Sequence, residues 1–63
     1  MENMIDNLIN GNCSTARKLA KRFKMEKIVS FLRDDYGWTL EKAYACAVYL
    51  KTGEGFQKYC DAV

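Results

Sequence analysis

The chain has no histidine, and its three cysteines form no C-x-x-C pair, so the ligand spacing of a zinc site is missing. A metal centre would need three distant cysteines and a carboxylate, and neither metal nor cofactor is expected. Catalysis fails on inventory before geometry is reached. There is no histidine base, no Gly-rich phosphate loop and no G-x-S-x-G, and the chain is read as a non-enzyme. The Gly-Glu-Gly of residues 53–55 lacks a following Lys-Ser/Thr and a preceding strand; it reads as a helix stop followed by a helix start. No apolar run approaches the roughly 18 residues that span a bilayer, and the amino terminus lacks the basic-then-apolar order of a targeting segment. The cysteines are odd in number and widely spaced, which points to reduced thiols in a cytoplasmic setting. No segment alternates with period two, and there is no repeat, linker or low-complexity tract.

What is present is a small helical domain. Sixty-three residues make one domain, in which a monomer buries only roughly 60% of the surface its unfolded chain exposes. With 49% hydrophobic and 13% aromatic residues, self-association is one way to bury more. The stretch WTLEKAYACAVYL, residues 38–50, carries charge only at Glu41 and Lys42. A helix over about residues 39–51 would be apolar around most of its circumference and is expected to form the core. Ala43, Ala45, Cys46 and Ala47 let neighbours approach, while Leu40, Tyr44, Val48 and Leu50 are expected to fill the gaps.

In chain order, Met1, Met4, Ile5, Leu8 and Ile9 fall at helical spacing, with Glu2 and Asp6 near the positive end of the helix dipole. Gly11 breaks this helix, and Asn12 or Ser14 can cap the next, which runs from about Cys13 to Phe23 with Ala16, Leu19, Ala20 and Phe23 as its apolar stripe. At Lys24 and Met25 the phase slips to a new stripe of Met25, Ile28, Val29, Leu32 and Tyr36. Residues 13–36 are therefore either two helices or one with a kink. Gly37 ends this region, Thr39 caps the central helix, and Trp38 is placed to staple against Ala43. Phe56, Tyr59, Cys60 and Val63 define a last short helix. The expected fold is an all-α compact bundle of four to five short helices in a single domain, residues 1–63.

The net charge of +2 implies little, but its distribution is uneven. Arg17, Lys18, Lys21, Arg22, Lys24 and Lys27 stand within eleven residues against the single acid Glu26. Charge runs are most often solvated helix faces; the functional alternatives are phosphate contact, which weakens steeply with salt, and docking on an acidic protein surface. A helix-turn-helix can be drawn through TARKLAKRFKMEKIVSFL. Against it, Lys24 occupies the turn position that usually holds glycine, and Glu26, Asp34 and Asp35 oppose approach to phosphates. Tyr36, Trp38 and Tyr49 are candidate aromatic contacts, with amphipathic packing as the plain alternative. Cys13, near a helix amino terminus with Arg17 one turn away, has the setting of a stabilised thiolate, though a small half-buried residue is the commoner role. Cys46 and Cys60 read as packing.

Together, LINGN, ARKLAKRF, DDYGWTLEKA and YLKTGEGFQKYCDA resemble a group of short, all-helical, mostly uncharacterised proteins encoded by bacteriophages and prophages. The similarity spans nearly the whole chain. It implies a stand-alone accessory protein in the host cytoplasm that acts by binding and has no catalytic residues to carry over. Three functions follow as expectations: a protein-binding module that inhibits or modulates a host or defence nucleic-acid machine, direct nucleic-acid binding through the same basic face, and an oligomeric assembly factor.

Overall fold

Five helices form in the computed structural model, which describes residues 1–62: α1 (Glu2–Ile9), α2 (Cys13–Ala20), α3 (Met25–Tyr36), α4 (Leu40–Thr52) and α5 (Phe56–Asp61). There is no strand among the described residues. Val63, expected on the apolar stripe of the last helix, lies outside them.

The boundaries follow from local chemistry. Gly37 takes a left-handed conformation (φ 69°) that a side chain would disfavour, and the Trp38 N–H then turns back to donate to the Leu32 carbonyl at 3.2 Å, closing α3. Two residues later the Thr39 hydroxyl accepts from the Lys42 N–H at 3.2 Å and starts α4. Asn12 holds the cap position of α2 but forms no side-chain cap; its amide donates instead to the Asn7 side-chain oxygen at 3.3 Å. Residues 13–36 form two helices. The last three residues assigned to the first of them from its periodicity are a tightened turn, in which the N–H groups of Lys21, Arg22 and Phe23 reach back three residues to Lys18, Leu19 and Ala20. Lys24 is extended (φ −74°, ψ 150°), and this break reorients the chain where the apolar phase slips.

α4 is the centre of the bundle, packed by α3, α5 and α2, while α1 packs on α2. Its Ala43, Cys46 and Ala47, with Ala16 and Ala20 of α2, are buried and small, so the backbones approach closely. The bulk between them comes from Met4, Ile5 and Leu8 of α1, Ile28 and Leu32 of α3, and Leu50. Each such side chain contributes about 1.5–3 kcal/mol on burial. Leu40 and Tyr44 do not fill the core as expected from their place in the apolar run; each is 55% exposed, and Val48 is half-buried. Tyr49, expected on a partly open surface, is buried instead. The radius of gyration, 10.1 Å, is close to the roughly 10.6 Å of a compact domain of this length.

Candidate functional site

The helix α2 turns its alanines inward and its cations outward, because Ala16 and Ala20 recur every fourth residue while Arg17, Lys18 and Lys21 occupy the positions between. All six cations of the stripe, Arg17, Lys18, Lys21, Arg22, Lys24 and Lys27, are exposed. Arg17 stands at one end of it, its guanidinium lying over Gly53 in the space a Cβ there would occupy. Other cations serve the fold. Lys42 sits 4.2 Å above the Trp38 ring, and Lys51 donates to the carbonyl oxygens of Phe23 at 2.7 Å and Ala20 at 3.2 Å, at the carboxyl end of α2 and the turn that follows it.

Acidic groups gather elsewhere. Burial, then the nearby carboxylates of Asp6, Glu2 and Asp35, raise the Tyr36 hydroxyl above its ordinary value, so α1 and the end of α3 form a negative patch. Glu26, Asp34 and Asp35 are exposed on α3. The helices α2 and α3 make little contact with each other, each packing on α4.

The expected aromatic anchors are mostly engaged. Phe31, Tyr36, Trp38, Tyr59, Tyr49 and Phe56 form a continuous series of rings with successive centroids 5.0–6.4 Å apart. Tyr36 and Trp38 are half-buried within this series. A side-chain hydrogen bond with Cys13, and secondly burial, raise the Tyr49 hydroxyl. Cys13 is thus a half-buried partner of the core. The Cys46 thiol is pushed up to about 12 by burial, while Cys60, expected to pack, is exposed.

The exposed aromatic on α4 is Tyr44, which the sequence pattern assigned to the core. With Leu40 and Val48 it forms a ridge along the helix, four residues per step, bordered by one cleft along its length and by a second at Tyr44. One, of about 670 Å³, lies between α4 and α5 with Glu41 and Lys58 at its walls. The other, of about 540 Å³, lies between α3 and α4, where Tyr44 faces Met25 and Val29 beside Lys24 and Glu26.

Compared with known proteins, the chain matches no family model, no curated protein and no solved structure.

No helix among the described residues is long and apolar enough to cross a membrane. None of their Cys, Asp and Glu side chains form a group of three placed to hold a metal ion.

Proposed function

We propose that this chain is a non-catalytic binding protein that docks on an acidic protein surface through the stripe Arg17, Lys18, Lys21, Arg22, Lys24 and Lys27. In keeping with the phage and prophage proteins it resembles, the target is a host or defence machine that handles nucleic acid, whose acidic surface the stripe covers. The observation that carries this reading is the separation of charge: six exposed cations on α2, its exit and the first turn of α3, and carboxylates collected around Tyr36 on α1 and the far end of α3. Such a dipole steers an encounter and sets its orientation.

Direct nucleic-acid binding uses the same stripe and is the second reading. Two observations favour a protein target over it. A helix-turn-helix needs its two helices held against one another, whereas α2 and α3 make little mutual contact, and α3 exposes Glu26, Asp34 and Asp35. A single-strand binder needs open aromatic platforms among its cations, and Phe23, the one ring within the stripe, is half-buried against the core.

The test compares the natural chain with the triple variant Arg17→Glu, Lys21→Glu, Arg22→Glu, after circular dichroism has shown equal helix content. Both are titrated with short duplex and single-stranded DNA at low and moderate salt, and both are used to retain a partner from the native host under reducing conditions. A protein held by the natural chain and lost by the variant, with no DNA binding at low salt, is the expected result. Submicromolar, salt-steep DNA binding abolished in the variant replaces this reading with the second one.

A further inference from the structure

We infer that the ridge of α4 is a two-fold contact between copies of this chain, with Tyr44 at the axis. The shape is the first argument. Leu40, Tyr44 and Val48 stand along one four-residue row that forms a wall of the cleft of about 670 Å³ toward α5, and Tyr44 also borders the cleft of about 540 Å³ toward α3. A ridge bordered by grooves is complementary to itself: turned about Tyr44, the row of one copy drops into the α4–α5 cleft of the other, and the reverse contact forms by the same rotation. Rows of this four-residue kind cross at about −50° when they interdigitate. Antiparallel placement sets Leu40 of each copy near Val48 of the other.

Charge is the second argument, and it selects a second copy over a foreign partner. The α4–α5 cleft carries one acid, Glu41, and one base, Lys58; the α3–α4 cleft carries Lys24 and Glu26. Each wall is balanced, in a chain whose α2 is strongly positive. Two identical surfaces of one sign would repel, and a surface made to capture a basic or acidic protein would carry the opposite sign. A balanced face does neither and lets each Glu41 approach a Lys58 across the axis.

Extent is the third. A standard interface covers roughly 800 Å² on each partner, about a fifth of the 4147 Å² this chain exposes. The ridge with its clefts reaches from α3 across α4 to α5, three of the five helices. Most of the basic stripe, Arg17 to Arg22, stays on α2 outside the contact, so a dimer presents that stripe twice. The contact shares only Lys24 with the proposed docking stripe and stands without it.

Sedimentation equilibrium under reducing conditions, over a concentration series from about 1 µM to 1 mM, tests it. The natural chain is expected to rise from 7.3 kDa toward twice that mass. Tyr44→Glu and Tyr44→Lys are each expected to stay at 7.3 kDa, because like charges then meet on the axis, while an equimolar mixture of the two regains the doubled mass. Helix content by circular dichroism accompanies each variant; should either unfold, Val48→Glu and Val48→Lys, off the axis, take their place, each expected to weaken association at least tenfold. A natural chain that stays monomeric throughout, an association untouched by folded variants at the ridge, or a Tyr44 mixture that fails to pair, overturns the inference. The triple Arg17, Lys21, Arg22 variant is expected to dimerise as the natural chain does, which keeps this outcome separate from that of the basic face.

Discussion

The ammonium of Lys51, in the last turn of α4, lies 2.7 Å from the carbonyl oxygen of Phe23 and 3.2 Å from that of Ala20. One cation therefore closes the end of α2 from a helix 28 residues further along the chain. It stands at the negative pole of the α2 dipole, serves the Phe23 carbonyl just past the helix, and shares the Ala20 carbonyl with the Phe23 N–H. Lys51→Met keeps the aliphatic stem and removes the donors. We expect a loss of about 1–2 kcal/mol, read as a lower urea midpoint at unchanged slope. An unchanged midpoint would mean that water serves those carbonyls equally well.

Gly53 ends α4 at φ 79°, and the Arg17 guanidinium lies over it. Gly37 has a similar φ of 69° with open space around it. Alanine at either position costs about 1–2 kcal/mol for the left-handed backbone. Because the obstacle at Gly53 is the far end of a flexible side chain, it can swing aside cheaply. The expected coupling between Gly53→Ala and Arg17→Ala in a double-mutant cycle is therefore below about 0.5 kcal/mol. A coupling several times larger would show that the guanidinium is fixed where it lies.

Alkaline pH should destabilise this protein through the buried Cys46 and the half-buried Tyr59. The Cys46 thiol moves from 9.0 to about 12 and the Tyr59 hydroxyl from 10.0 to about 12, burial being the main cause of both. Each group keeps its proton longer in the folded chain than in the unfolded one. Stability is then intact below about pH 9 and falls progressively as pH rises toward 12, by at most about 1.4 kcal/mol per pH unit for the buried Cys46 and by less for the half-buried Tyr59, whose charged form water screens. Urea midpoints measured by circular dichroism at intervals from pH 7 to above 11 check this, and Tyr59→Phe should make the decline shallower. A flat profile over that range would contradict it.

The three thiols are free, at three different depths. A chromogenic disulfide reagent at pH 8 should label Cys60 first and Cys13 more slowly. It should reach Cys46 only on unfolding, because that thiol is both covered and held in its protonated form. Mass spectrometry of the partly labelled protein identifies the order, and early labelling of Cys46 would place it nearer the surface than the packing indicates.

Much of this architecture was legible in the residues because the local signals agreed. Gly37 and Thr39 fixed the turn before α4, Gly53 fixed its end, and the phase slip at Met25 marked where α3 begins. The cations of α2 could be assigned to the outside for the same reason, since alanines mark the inner side. The orientation of α4 was harder. Eight successive uncharged residues follow Lys42, and an all-apolar stretch carries little polarity to say which arc faces water. Leu40 and Tyr44 were thus assigned inward and Tyr49 partly outward, the reverse of the structure. A usable signal lay at the ends: at 100° per residue Glu41, Lys51 and Thr52 fall on the arc of Leu40, Tyr44 and Val48, and all three are exposed. The reach of Lys51 to α2 had no such trace, because it depends on how two distant helices meet.

The attachment of α5 has a consequence for how the molecule comes apart. No residue of that helix is buried; it is joined to the rest chiefly through Tyr59, whose ring stacks on Tyr49 and neighbours Trp38, and through Phe56 against Tyr49. Ring pairs of this kind are worth about 0.5–1.5 kcal/mol each, far less than the core beneath. The carboxyl-terminal segment can therefore peel away while the four preceding helices stay assembled, and its amide protons should exchange with solvent long before those of Ile28 or Leu50.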